Sequence, residues 1–166
     1  MHETAADLER LQQVLDRSRA QAGAHLRGIF DGSGMYRPLS AEDLAARLTG
    51  VRHVALATVT GGGEPRVAPT DGLFFRGMLH VSLPGSSFRL RHLKARPAVS
   101  ATHFVGEEIA VWMHGRAELM QEGHPDFDGV DAYCMEIYGS SATTWGSDIY
   151  YVRLEPDRMF AYEGSS

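Results

Sequence analysis

The feature that most limits the fold of this chain is a change of hydrophobic period at residue 52. From there to residue 83 the apolar side chains alternate with a period of two, which is typical of β-strands, in runs at 52–59, 66–73 and 78–83. Short glycine-containing turns at 61–65 and 76–77 separate the runs. Since antiparallel strands can be joined by such short turns, we predict a three-stranded meander.

The second half of the chain repeats this period. Further strands are predicted at residues 98–104, 109–120, 147–154 and 158–162. Residues 155–157, Glu-Pro-Asp, are predicted as a turn between the last two strands. Both alternating sets of side chains in 52–59 are largely apolar, which predicts a strand buried on both faces. Because closure removes the exposed edges of a sheet, the strands favour a closed antiparallel barrel.

Helical spacing of apolar residues flanks the strands. Helices are predicted at residues 5–26, 41–48 and 126–138. Ser40 is a suitable cap for the second helix, and three glycines in the segment 28–34 are expected to break the chain after the first. We expect one structural domain, in which residues 1–50 form a helical extension and residues 51–166 form the barrel.

Composition limits the partners and the compartment. The net charge is −5, whereas a general nucleic-acid-binding protein carries an excess of cations, so no nucleic-acid partner is expected. The sequence has no apolar run of about 18 residues and no signal-peptide pattern, which argues against a membrane span. The single cysteine, Cys134, favours a reducing compartment, and we expect the cytoplasm. The eight histidines lack metal-site spacing, so no metal site is assigned.

Positive charge is concentrated in the segment PGSSFRLRHLKARP, residues 84–97. Ser87 is a suitable cap for a helix that begins at Phe88, and the unpaired amides of a helix N-terminus bind anions. Arg89 adds a charged fork of donors in the first turn. The segment predicts a phosphate-binding turn; the alternative is a capped surface helix whose arginines are solvated.

The ordered strands and this basic turn resemble the flavin-binding split-barrel family that includes pyridoxamine 5'-phosphate oxidase. The resemblance is carried by VALATVTGGGEPRVAPTDGLFFRGMLHVSLPGSSFRLRHLKARPAVSATHF and EIAVWMHGRAEL, covers roughly residues 48–119, and has a weaker match in YVRLEPDRMFAY. It implies a mainly β fold with flanking helices, namely a six-stranded antiparallel split β-barrel that binds FMN. It also implies a homodimer with the cofactor at the subunit interface.

The resemblance assigns cofactor contacts to the second strand, the third strand and the basic turn. They are Arg66, Ala68, Thr70, Asp71, Ser82, Ser86, Ser87, Arg89 and His92. Many FMN-binding members carry an arginine where Ala68 stands, which holds the phosphate, so in this chain Arg66 or a partner-chain residue would have to supply that positive charge. Where His92 stands, the usual residue is asparagine. These departures leave a deazaflavin coenzyme as an alternative cofactor. Asp71 precedes a glycine, so a role as a turn or bulge residue is equally open.

The expected function is that of an enzyme, a flavin- or deazaflavin-dependent oxidoreductase acting on a small organic substrate. In such enzymes the cofactor carries the redox chemistry, and no side chain is assigned a catalytic role here. The alternative is a non-enzymatic haem- or flavin-binding protein, for which His103 and His114 on neighbouring strands are candidate ligands. A further alternative is an interaction module without a cofactor, for which Ala68 is the argument.

Overall fold

The computed structural model describes residues 2–32 and 34–164 of the chain. Its helices are α1 Ala5–Ala20, α2 Ala24–Gly32, α3 Ala41–Arg47, α4 Phe88–Ala95 and α5 Phe127–Tyr138, with one 3-10 turn at Ala142–Thr144. Its strands are β1 Tyr36–Pro38, β2 Val51–Val59, β3 Pro65–Phe75, β4 Met78–Pro84, β5 Ala98–Val105, β6 Ile109–Met120 and β7 Ile149–Gly164.

Six strands form a closed antiparallel barrel, which confirms the predicted fold class. The strands pair in the order β7-β4-β3-β2-β5-β6, and β6 pairs with β7 to complete the circle. The short strand β1, which the sequence does not predict, pairs with the end of β7. Alternate apolar side chains fill the interior, among them Leu56, Val81, Met113 and Val152. Leu44 of α3 belongs to the same core, so the helical extension covers part of the barrel.

The last two predicted strands are one continuous strand, β7, so the prediction of a turn at residues 155–157 is wrong. The register shifts between His114 and Gly115 on the neighbouring strand, and Asp157 is the extra residue of the resulting β-bulge. A side chain at Gly115 would collide with the carbonyl oxygen of Glu155, so the glycine permits this close approach. The bulge bends β7 without ending it.

The helix predicted at residues 5–26 is divided into two helices, α1 and α2. The break predicted at residues 28–34 lies partly inside α2. α1 ends at Ala20 and α2 begins at Ala24, so Gly28 is a helical residue. Phe30 of α2 stacks on Phe160 of β7, with ring centroids 6.3 Å apart. A glycine costs a helix about 1 kcal/mol, and burial of one aromatic side chain is worth more than that.

The remaining helices follow their predictions. Ser40 caps α3, since its side chain accepts a hydrogen bond from the backbone amide of Asp43. Residue 33, within the predicted break, lies outside the described residues. No helix of the described residues is long and apolar enough to cross a membrane. The division of the chain at residue 50 stays a prediction.

Strand β2 is buried on one face only, so the predicted burial on both faces is wrong. Val54 and Leu56 lie in the core, whereas His53 is exposed and Ala55 and Ala57 are half-buried. The reason is that the outer positions of β2 are not fully covered by another layer. An accessible and largely apolar sheet face therefore remains outside the barrel.

Candidate functional site

Strands β3 and β4 are paired along only part of their length. The ladder joins Gly72–Phe75 to Met78–Val81 and stops there. Beyond it, the residues Ser82–Pro84 of β4 keep only the pairing with β7 on their other edge. On this side no described strand pairs with the first half of β3, residues 65–71. We call this gap between β3 and β4 the split.

The predicted phosphate-binding turn lies at the split. Ser87 caps α4, because its Oγ accepts a hydrogen bond from the amide of Leu90 at 3.1 Å. Arg89 Nη1 donates to the carbonyl oxygen of Pro69 on β3 at 3.2 Å. Ser86, just before the cap, is exposed. The arginine of the turn therefore contacts the free edge of β3, and one end of the split carries helix amides and a guanidinium.

Three of the candidate residues share one groove beside the split. Thr70, Asp71 and Ser82 line a cavity of about 250 Å³. Its other walls are mainly apolar or aromatic and are formed by Leu73, His80, Pro84, Tyr138, Trp145, Ile149 and Tyr151. Since Pro84 leads directly into the basic turn, the groove and the N-terminus of α4 are neighbours along the chain. Three of the nine candidates thus line the groove, and three more, Ser86, Ser87 and Arg89, follow Pro84 directly along the chain.

Asp71 is the most highly connected of these residues. Its carboxylate accepts hydrogen bonds from His53 Nδ1 at 2.9 Å and from the Tyr138 hydroxyl at 3.2 Å. It lies opposite His53 in the regular ladder of β2 and β3, and not in a turn or a bulge. Burial, together with the nearby carboxylate, raises the pKa of Tyr138 to about 12. The phenol is therefore protonated and a hydrogen-bond donor at neutral pH.

The other three candidates lie away from the groove. Ala68 is opposite Leu56 in the β2–β3 ladder. The Arg66 guanidinium is paired with Glu64 at 2.7 Å, so its charge is balanced locally. His92 Nδ1 lies 3.0 Å from the hydroxyl of Thr58, which connects α4 to β2. None of the three contacts the aromatic wall of the groove.

Three aromatic residues of the groove, Tyr138, Trp145 and Tyr151, are absent from the candidates drawn from the sequence. Trp145 is 47% exposed, and its ring meets that of Tyr138 edge-on at a centroid distance of 4.8 Å. The indole Nε1 donates to Ser140 Oγ at 2.9 Å, which orients the ring. In the sequence, Trp145 lies in a stretch of Gly, Ser and Thr that has no strand or helix period, so no hydrophobic pattern assigns it to the core.

The two candidate haem ligands lie on opposite faces of the β5–β6 ladder. His103 is buried and donates from Nδ1 to the carbonyl oxygen of His53 at 2.9 Å. His114 is exposed, lies 2.8 Å from Ser100 Oγ, and lines a second, shallow groove of about 570 Å³. They therefore cannot face one cofactor from the same side. Within the described residues, no group of three or more His, Cys, Asp or Glu side chains is arranged to hold a metal ion.

No protein-family model and no curated protein sequence matches the chain. Solved structures do match it. A FAD-binding protein from Mesorhizobium loti is 20% identical, with a TM-score of 0.62, over 80% of this chain and 98% of that one. The haem storage protein HutZ from Vibrio cholerae is 18% identical, with a TM-score of 0.59, over 73% and 91%. An F420 reductase is 20% identical, with a TM-score of 0.53, over 69% and 93%. The chain is a split barrel.

The split barrel expected from the resemblance is thus confirmed as the fold. Identities of 18–20% establish architecture, because one fold carries different cofactors and activities in different proteins. The matched structures include a FAD-binding protein, an F420 reductase and a haem storage protein. The cofactor and the reaction of this split barrel have to be argued from its own residues.

Proposed function

We propose that this split barrel binds a flavin or deazaflavin cofactor at the split and transfers hydride equivalents between that cofactor and a small organic substrate. The observation that carries the proposal is the contact of Arg89 with the free edge of β3, directly beside the N-terminus of α4. Amide donors, hydroxyls and a guanidinium then follow directly after Pro84, which lines the groove with aromatic walls. The names of two matched structures, a FAD-binding protein and an F420 reductase, agree with this class of ligand.

The residues at the split fit a phosphate-bearing cofactor with a planar ring. The helix N-terminus at Ser87 carries partial positive charge and free amide groups, and Arg89 uses only one of its five N–H donors in its bond to β3. The unpaired edge of β3 offers backbone groups that can bond the polar side of a ring. Ala68 supplies no charge, so the phosphate contacts come from α4. This arrangement is compatible with FMN and with a deazaflavin.

The bound cofactor would supply the redox chemistry, and the chain would supply orientation and protons. Asp71 accepts the Nδ1 proton of His53, which fixes the tautomer and leaves Nε2 as the free ring nitrogen. The His53 side chain is 86% exposed, so a substrate can reach that nitrogen. Tyr138 holds the other carboxylate oxygen of Asp71. His53 is the proposed proton donor or acceptor, and Asp71 and Tyr138 position it.

A second copy of the chain is proposed to cover the outer sheet face. Val67 is 66% exposed and Phe104 is 64% exposed. They border a surface of small side chains on β2, β3 and β5, made of Ala55, Ala57, Val59, Pro69, Ser100 and Thr102. Flat apolar faces of this kind are typical of protein–protein interfaces. A homodimer through this face would bury it and place residues of the partner beside the groove.

The cofactor proposal is tested on the purified protein. An absorbance spectrum and mass spectrometry of whatever is released on denaturation identify a bound cofactor directly. FMN, FAD and F420 are then added separately, and the melting temperature is recorded, since a ligand that binds only the native state raises it. A rise of several degrees with one cofactor supports the proposal. If no flavin absorbance is found and none of the three raises the melting temperature, the proposal is wrong.

A haem-binding function is the second candidate, and the position of His114 favours it. Its imidazole is exposed in a groove that also contains the apolar residues Ala57 and Val59. A haem-storing split barrel is among the matched structures. Added haemin should then produce a Soret band that is lost in His114→Ala and kept in His103→Ala. Steady oxidation of a reduced nicotinamide by the flavin-loaded protein would favour the enzyme instead.

A further inference from the structure

A cavity separate from the split lies between α1, the β3–β4 turn and β7. We call it the chamber; its volume is about 420 Å³, which is within the range of small-molecule sites. It has one residue, His80, in common with the groove beside the split. Burial lowers the pKa of His80 to about 4, so this shared wall is uncharged at neutral pH. The chamber therefore has its own lining and its own charges.

One side of the chamber is apolar. Leu11 and Val14 of α1 are buried there, opposite Phe75 at the end of β3. Gly77 lets the helix approach the turn, because a Cβ at this residue would lie 3.3 Å from the carbonyl oxygen of Asp7. α1 thus forms a close wall over the hairpin, and an apolar group of a ligand can pack against it.

Arg76 occupies a position where arginine is unfavourable for the backbone. It is the first residue of a two-residue turn and has φ of 51°, followed by Gly77 with φ of 77°. Such turns favour Asn, Asp or Gly at this position, because a longer side chain is strained in the left-handed region. The conformation of the turn therefore gives no reason for an arginine at this position. What the residue contributes is a guanidinium at the mouth of the chamber, 5.4 Å from the centre of the Phe75 ring.

The donors at this end of the chamber are only partly used. Arg10 donates from Nη2 to Asp7 at 2.7 Å and to the carbonyl oxygen of Arg76 at 3.2 Å. The carboxylate oxygen nearest to Arg76 among the described residues belongs to Asp126, at 3.9 Å, which is too long for a hydrogen bond. Both half-exposed guanidiniums line the chamber and have more N–H donors than these contacts use.

The chamber also has a cluster of carboxylates, which begins directly beside Arg76, because Asp126 lies 3.9 Å from that guanidinium. Arg153 is surrounded by the carboxylates of Glu118, Asp126 and Glu155, and the first and last of these accept from the same nitrogen, Nη2. His124 also contacts Glu118, at 3.1 Å. Three carboxylates share the guanidinium of Arg153, and the next guanidinium, that of Arg76, is too far from Asp126 for a hydrogen bond, so a cationic group beside Asp126 and Glu155 would be stabilised.

We propose that the chamber binds a small zwitterion with an apolar side chain, of the class of the apolar α-amino acids. Its carboxylate contacts Arg10 and Arg76, its ammonium group faces Asp126 and Glu155, and its side chain packs on Leu11. Charges of both signs lie side by side in the chamber, as the adjacent carboxylate and ammonium groups of an α-amino acid require, whereas a phosphate dianion would be repelled by Asp126 and Glu155. The proposal does not depend on the cofactor site, since it uses other residues.

The test is calorimetric titration of the full chain with L-phenylalanine and L-leucine, with and without added FMN. Three probes each lack one feature: 3-phenylpropanoic acid lacks the ammonium, phenethylamine lacks the carboxylate, and glycine lacks the apolar side chain. L-Phenylalanine or L-leucine should bind at least about tenfold more tightly than each of these probes. If neither amino acid gives measurable binding at millimolar concentration, or if 3-phenylpropanoic acid binds equally well, the proposal is wrong.

The matched variant is Arg76→Asn, because asparagine suits a left-handed turn and keeps the hairpin intact. Its melting temperature should equal or exceed that of the wild type, while its affinity for the amino acid falls about tenfold. Arg66→Asn, outside the chamber, should bind as the wild type does. Unchanged affinity in Arg76→Asn would overturn the proposal whether or not a flavin binds at the split.

Discussion

Arg89 donates a hydrogen bond to the carbonyl oxygen of Pro69 at 3.2 Å, and so joins the helix that follows β4 to the strand from which β4 has separated. The barrel is closed at this point by a side chain and not by a β-ladder. A side-chain contact can yield to a ligand at much lower cost than a row of backbone hydrogen bonds. This difference makes the split the most suitable place on the barrel for a cofactor.

Arg89→Ala is expected to weaken the binding of a phosphate-bearing cofactor by about 1.5–3 kcal/mol, because a charge-assisted hydrogen bond to the phosphate is lost. Fluorescence titration with the cofactor measures the change. Arg91→Ala is the matched control, since Arg91 lies over the ring of the exposed Phe88 at 4.8 Å. Equal affinities for Arg89→Ala and the wild type would place the phosphate elsewhere.

Val67→Glu is expected to convert the proposed dimer to a monomer, because it introduces a charge into the exposed sheet face that the second copy would bury. Light scattering coupled to size-exclusion chromatography measures the mass. Met135→Glu on α5, where the methionine is also half-exposed, should leave the mass unchanged. A monomeric wild type, or a dimer that tolerates Val67→Glu, would contradict the interface.

The buried imidazole of His80 is expected to make the protein less stable in mild acid. Its pKa is lowered from 6.5 to about 4 in the folded chain, so between these values the unfolded chain binds a proton that the folded chain does not. The contribution to stability is complete above pH 6.5 and is lost as the pH falls toward 4. Between pH 7.5 and pH 5.0 the loss amounts to about 2 kcal/mol.

Urea denaturation at pH 7.5 and pH 5.0 measures this loss. In the control His80→Asn the side-chain amide can donate to the carbonyl oxygen of Met78, as His80 Nδ1 does at 3.1 Å, but it does not titrate. The variant should therefore lose about 2 kcal/mol less than the wild type over the same interval. The same pH dependence in both proteins would show that His80 is not responsible.

Two glycine-to-alanine changes are expected to have opposite effects. Gly115→Ala should lower the free energy of unfolding by about 2–3 kcal/mol, because the new methyl group collides with the backbone of Glu155 at the bulge. Gly28→Ala should raise it by about 0.5–1 kcal/mol, since this residue is helical and exposed, with no atom near the added methyl. Thermal or urea denaturation of both variants tests the pair, and a neutral Gly115→Ala would contradict the bulge geometry.

Much of the barrel can be predicted from local patterns. The alternation of apolar residues in β2 to β6 relates positions two residues apart, so it can be recognised directly in the sequence. Local patterns fail at residues 155–157, where proline and acidic residues are typical of a turn. The strand continues through these residues because Gly115 on the adjacent strand has no side chain and leaves room for the bulge. The deciding contact joins residues about forty positions apart, so no local pattern contains it.

Part of the candidate site can also be predicted from the sequence, and part of it cannot. Ser87 was identified as a cap from its own position, and Asp71 was a candidate from resemblance. The aromatic wall of the groove comes from Tyr138 and Trp145, which follow Asp71 by more than sixty positions and reach it only because α5 packs on β3. Arg66, a candidate to replace the missing charge at Ala68, is paired with Glu64 instead.

By itself the sequence determined where strands β2 to β6 lie, where α4 begins, and that a group of cations follows the third predicted strand, because these depend on periodicity and on capping within a few residues. The tertiary structure alone decided where β3 and β4 separate, which side chains line the groove and the chamber, and which face of β2 stays open. Those features depend on contacts between distant segments, whose free energy is set by packing and by charges that meet only after the barrel has closed.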